Sequence, residues 1–232
     1  QAESISSKKG TEIRQNITDP TCRIMKFSGG FGEGYNAQAS CSGESGIIIA
    51  AAVGNNIDDK ENLFKMEQRV RETVPDESQT HLSRAKYLFD NGYYSTANIL
   101  EAIERGLDVY IPDSQDAKYY HAPKHKDKTS LGGADCTIGE DEAGLFLSCP
   151  GGRKFRHWKI KLNNGKDCYR FPVLSPDKCS GCRFYEICLG KQKKRWKDFT
   201  ILKSRLEQRK ALSAYHAKIH SDEGKRVYSR RM

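Results

Sequence analysis

Ala85-Lys86-Tyr87-Leu88-Phe89-Asp90-Asn91-Gly92-Tyr93-Tyr94-Ser95 is the stretch on which the fold turns. Its first half is short, apolar and aromatic, the composition of a buried strand. Asn91-Gly92 is a turn signal, and Ser95 can cap a helix that Ala97, Ile99, Leu100 and Ile103 would line on one face. Where a strand ends and the chain turns into a helix, α/β folds place functional carboxylates. Asp90 is therefore the candidate catalytic residue and a candidate Mg²⁺ ligand, because hard divalent ions take oxygen donors. The competing role is an Asp that merely makes a turn.

The flanking residues extend an α/β pattern in both directions. Tyr35, Ala37 and Ala39 alternate on one strand, Ser42-Gly43-Glu44-Ser45 turn, and Ile47 to Val53 return. The returning run is nearly continuous in apolar residues, which predicts a central strand buried on both faces. A helix from about Asp58 to Thr73 should bury Leu63, Met66 and Val70, with Asp58 and Asp59 at its positive end. After the Ser95 helix, Asp108-Val109-Tyr110-Ile111 reads as a strand stopped by Pro112.

Charge is distributed unevenly. The chain has 232 residues and a formal net charge of +9, yet residues 1–150 sum to −7 and residues 151–232 to +16. A positive field confined to one part of a chain is the footprint of a nucleic-acid surface, since phosphate neutralisation supplies most non-specific affinity. Lys191, Lys193, Lys194, Arg195 and Lys197 surround Trp196, which can stack on bases while its neighbours hold phosphates. A solvated helical face is the alternative. No apolar run approaches the roughly 20 residues that span a bilayer. The first residues show no basic-plus-apolar leader, so a cytoplasmic protein is expected.

Eight cysteines add a second site. Cys179-Ser180-Gly181-Cys182 followed by Cys188 has ligand spacing, because a two-residue gap lets both thiolates meet one metal. Cys149 is the best fourth ligand, Cys168 the reserve and His157 the outside candidate; Cys22, Cys41 and Cys136 read as isolated thiols. Zinc and a [4Fe–4S] cluster both suit four thiolates, and spacing does not choose between them. His216 and His220 stand at i, i+4 on a predicted helix but lack the Glu of a metalloprotease helix, so solvent- or phosphate-facing roles are expected. His81, His121 and His125 carry no signal.

Several blocks now recur in one order: Gly29 to Ala39 with its Gly-Tyr-Asn-x-Gln, the hairpin, Asn55-Asn56-Ile57-Asp58-Asp59-Lys60, and Asp90-Asn91-Gly92-Tyr93-Tyr94-Ser95. Together they resemble the DDE transposases of bacterial insertion sequences, in the group with a cysteine-bearing insertion. The resemblance runs from about Asp19 to the last residue. It departs at Asn91, usually Ala, and at Asn56, often Asp.

The resemblance implies an α/β fold: a partial ribonuclease-H-like mixed sheet with flanking helices, interrupted by a loop-rich Cys metal-binding insertion and followed by basic helices. Its divisions would be a polar lead-in over 1–26, a core lacking its first strand over 27–113, the insertion over 114–190 and the basic segment over 191–232. It further implies cutting and joining of DNA at transposon ends, with Mg²⁺ or Mn²⁺ held by three carboxylates, and a possible homo-oligomer of the full-length protein. In the family the first Asp lies on a strand before the hairpin and the Glu on a helix just beyond Met232. Asp90 is thus the expected sole member of the triad, Glu207 and Glu223 are not promoted, and the chain is expected to be an inactive fragment. A non-catalytic nucleic-acid-binding protein with a structural zinc or Fe–S site is one alternative. A phosphoesterase combining Asp90 with Asp58 and Asp59 is the other.

Overall fold

The computed structural model describes residues 17–27, 29–112, 131–173, 179–189 and 197–231. Two antiparallel hairpins come first. Strand β1 (Arg23–Phe27) pairs with β2 (Gly30–Gly34), and β3 (Asn36–Cys41) with β4 (Ile48–Gly54). The expected polar lead-in therefore ends in a strand. A single 3₁₀ turn, Asp59–Asn62, feeds helix α1 (Leu63–Thr73), whose Met66 and Val70 pack on Ala50 of β4. Among the described residues only that face of β4 is covered. Ile48 and Val53 stay 62% and 71% exposed, so burial on both faces is not observed: among these residues β4 pairs with β3 alone and has one helix over it.

The quoted stretch forms a βαβ unit. After the short helix α2 (Gln79–Leu82), β5 (Lys86–Leu88) runs parallel to β6 (Asp108–Tyr110), with α3 (Thr96–Glu104) between them. Ser95 caps α3 by accepting from the Asn98 N–H at 3.0 Å. The buried face of α3 is Asn98, Ile99 and Ala102, whereas Ile103 is 44% exposed and Ala97 faces solvent. The predicted stripe is rotated because Asn98 turns inward: its amide donates to the carbonyls of Tyr93 at 2.8 Å and Lys60 at 2.9 Å. Leu63, Ile99, Ala102, Val109 and Ile111 make this core.

The region expected to be loop-rich is built from strands. One antiparallel sheet joins β7 (Thr137–Asp141), β8 (Gly144–Ser148) and β9 (Lys154–Arg156). A second joins β10 (Lys159–Asn163), β11 (Lys166–Pro172) and β12 (Asp198–Leu202). Leu147, Phe155, Phe171 and Phe199 fill the space between them. Strand β12 lies where a basic helix was expected, and it completes this sheet. Lys159-Ile160-Lys161-Leu162 alternates polar and apolar residues with the strand period of two, a signal that the loop-rich reading of this region passed over.

Helix α4 (Tyr185–Cys188) is one turn; α5 (Leu206–His220) and α6 (Asp222–Tyr228) end the described chain. Ser221 caps α6, as its position before Asp222 and Glu223 predicts. Helix α5 ties the two cores together. Its Tyr215 hydroxyl accepts from Ile111 N–H at 2.7 Å and donates to Ile111 C=O at 2.9 Å. On the other side Ser213 accepts from Ile138 N–H at 2.9 Å, and Arg209 donates to the Gly133 and Cys136 carbonyls. The whole is a mixed α/β assembly of five small sheets among the described residues.

Candidate functional site

Asp90 sits one residue past the β5–β6 pairing, in extended backbone at φ −69°, ψ 161°. Its carboxylate accepts from Asn91 N–H at 2.5 Å and caps a 3₁₀ turn, Asn91–Tyr93. The turn leaves lone pairs on the carboxylate for other donors, since a carboxylate has about four lone-pair sites. Asp90 remains exposed and is paired with the Arg231 guanidinium at 3.3 Å. Arg231 also donates to the Tyr228 hydroxyl at 2.8 Å, which in turn donates to Phe89 C=O at 3.2 Å. The end of α6 thus docks on the Asp90 turn, helped by Lys86 and Glu223 at 3.2 Å.

Asp59 stands against the same turn. Its Oδ1 accepts from Asn36 at 2.7 Å and from Gln38 at 2.8 Å, both on β3. Its Oδ2 lies 2.6 Å from where a Cβ on Gly92 would be. Three of the sequence blocks quoted above therefore meet at one carboxylate beside Asp90. Burial, then the Asp59 and Asp90 charges, push the Tyr93 hydroxyl up to about 12. Asp58 behaves as expected of a cap: it accepts from Lys60 N–H at 3.2 Å, and that hydrogen bond is what chiefly lowers its carboxyl. Glu207 faces solvent at 82% side-chain exposure. Sequence reasoning assigned Asn36, Gln38 and Arg231 no role; the first two were visible as motif residues, whereas Arg231 carried no signal.

The cysteines gather at a second place. Cys149, Cys179, Cys182 and Cys188 line one pocket with Leu131, Phe155, Phe184 and Phe199. Two tight turns present them: Gly152 N–H donates to Cys149 C=O and Cys182 N–H to Cys179 C=O, each at 2.9 Å. Above Gly151 a Cβ would sit 2.7 Å from Cys182 Sγ and 3.6 Å from Cys149 Sγ, so both sulfurs lean over one glycine. Arg153 donates to Cys179 Sγ at 2.8 Å. Burial raises the Cys188 thiol, while Lys197 beside it pulls the other way. Cys136 also borders the group, and burial chiefly pushes its thiol up to about 12. Cys168 instead bonds the Lys166 carbonyl, and His157 stacks edge-on against Tyr169 and Phe171; neither lines the pocket. Among the described residues no three His, Cys, Asp or Glu side chains are gathered closely enough, as placed, to hold one ion.

Lys191, Lys193, Lys194, Arg195 and Trp196 lie outside the described residues. Lys197 is described and points inward, donating to the Cys188 carbonyl at 2.8 Å and to that of Leu131. His216 meets the Tyr94 hydroxyl at 3.0 Å. An exposed aromatic that sequence reasoning passed over, Trp158, lies between Lys159 and Arg170. No described helix is long and apolar enough to cross a membrane.

Residues 148–232 match the family model of the transposase DDE domain, which supports a DDE-type transposase. No curated protein and no solved structure matches the chain.

Proposed function

We propose, from the premise that residues 148–232 are transposase DDE-domain sequence, that the chain is part of an enzyme that cuts and joins DNA by metal-dependent phosphoryl transfer. The observation that carries this is the docking of Tyr228 and Arg231, inside the matched segment, on the turn that holds Asp90. The meeting of the Asn36–Gln38, Asp59 and Gly92 blocks beside Asp90 supports extending the family reading upstream of residue 148. A hairpin, a helix and a βαβ unit with a carboxylate at its strand end accord with a ribonuclease-H-like core.

In this reading Asp90 is one carboxylate ligand for Mg²⁺ or Mn²⁺, an exposed oxygen donor of the type those ions take. The ions would activate the attacking oxygen and stabilise the leaving one. Arg231 holds the carboxylate until an ion competes for it. DNA is the partner, and cutting requires the complete set of three carboxylates. Within this reading Cys149, Cys179, Cys182 and Cys188 would close on zinc or an iron–sulfur cluster, since as placed no three of them are gathered closely enough to hold one ion. That assignment is supported by their shared pocket, the sulfurs over Gly151, and the cations Arg153 and Lys197 beside Cys179 and Cys188. Four thiolates carry a charge that neighbouring cations offset in an apolar pocket.

The test is a strand-cleavage and joining assay on transposon ends, using the transposase that contains this chain. Asp90→Asn should abolish Mg²⁺- and Mn²⁺-dependent cutting while DNA binding persists. Cutting that survives Asp90→Asn overturns the assignment.

A further inference from the structure

The β10–β11 ribbon is the surface that the expected basic segment does not include. Asn163 pairs with Lys166 across a two-residue loop, and both loop residues have positive φ, Asn164 at 48° and Gly165 at 72°. That is the turn whose twist matches paired strands, so the ribbon is stiff and right-twisted. All of β10 is exposed, and among the described residues one of its edges is unpaired. The register puts Lys159, Lys161, Asn163 and Lys166 on one face, together with the buried Cys168 and the largely buried Arg170. On the other, Ile160 and Leu162 are 44% and 65% exposed, and Trp158, just before the strand, is 59% exposed.

The plain alternative is an edge strand kept soluble by lysines. Lysines alone would serve that end; exposed Trp, Ile and Leu beside them work against it. The Trp158 ring has Lys159 Nζ 4.5 Å and Arg170 Cζ 5.1 Å from its centre; Arg170 is largely buried and ion-paired with Asp198, so the aromatic face is presented with one available cation, Lys159. A two-stranded ribbon fits the major groove of a duplex, where cations meet phosphates and apolar groups meet base edges. The ribbon also lies in the half of the chain that carries the +16 charge.

We propose that the β10–β11 ribbon is a duplex-DNA-binding surface, with Lys159, Lys161 and Lys166 on phosphates and Trp158 against the sugar–base edge. It rests on the reading of DNA as partner. The experiment is fluorescence anisotropy of the whole chain on a duplex oligonucleotide across a salt series. Changing Lys159, Lys161 and Lys166 to Ala should lower the slope of log affinity against log salt by up to about 3, roughly one per lost phosphate contact. Trp158→Ala should weaken binding with the slope unchanged. Lys65→Ala, on α1 in the acidic half, should change neither.

Wild-type slope and affinity in the triple variant overturn the surface while leaving DNA as partner. No duplex binding by the wild-type chain, even at low salt, overturns both. Self-association that Ile160→Lys dissolves, with DNA binding intact in the triple variant, would assign the edge to strand pairing between copies and overturn the proposal.

Discussion

At the residue scale, Asp59 shows how little room the Asp90 turn has. Two amides from β3 hold one of its oxygens, and the other lies against Gly92. Gly92 is needed for space, since a methyl group there would meet a carboxylate that cannot easily swing away. Gly92→Ala should cost about 1–3 kcal/mol, the usual range for overpacking. In a denaturant titration, Gly92→Ala combined with Asp59→Ala should destabilise by clearly less than the sum of the two. Strict additivity would show that Asp59 and Gly92 do not share this contact.

At the scale of elements, α5 is a strap. It is amphipathic in an unusual sense: polar side chains make its specific contacts on both sides, through Ser213 and Arg209 to β7 and its approach, and through Tyr215 and Lys218 to β6. Tyr215 is the critical one, being 5% exposed and satisfying both backbone groups of Ile111. Tyr215→Phe keeps the ring and orphans a buried N–H and C=O, so it should cost about 1–3 kcal/mol. Hydrogen exchange should report the loss first at Ile111 and along β6. Unchanged protection there would mean that packing of α5, not this pair of bonds, holds the strap. The corner after α5 is as tight: a Cβ on Gly224 would collide with the Lys218 carbonyl.

At the scale of the whole molecule the described residues hold two larger cores, one around α1, α3 and β6 and one between the two three-stranded sheets, beside a small cluster of Ala50, Met66 and Val70. The cysteine pocket belongs to the second. If the four thiols hold one metal, purified protein should carry about one zinc ion or one cluster per chain. Chelation or Cys182→Ser should then unfold residues 131–189, since such affinity is folding free energy. Limited proteolysis would show cuts there while the βαβ unit persists; a metal-free chain resistant to protease would exclude the site. Much of this was legible in the chain alone. The Asp90 turn, the Ser95 and Ser221 caps, the hairpin at 36–54 and the Cys179–Cys182 turn follow from local signals: turn residues, capping hydroxyls, alternation and ligand spacing; the arrival of Cys149 in the same pocket does not. What local signals do not carry is which neighbour arrives from far away. Lys197 reads as a phosphate-binding cation among others, and only the pairing of β12 with β11 turns it into the cysteine pocket. Asp59 reads as a helix cap until β3 brings two amides to it. The β10 strand was legible in its period-two alternation of Lys with Ile and Leu, but which strand it pairs with comes from the tertiary structure. The sequence by itself determined the turns, the caps and the donor atoms, because these depend on residues within a few positions. The tertiary structure decided which charges face solvent and which face sulfur or carboxylate, because that depends on contacts across 21 to 141 positions, as in Gln38 with Asp59 and Arg231 with Asp90.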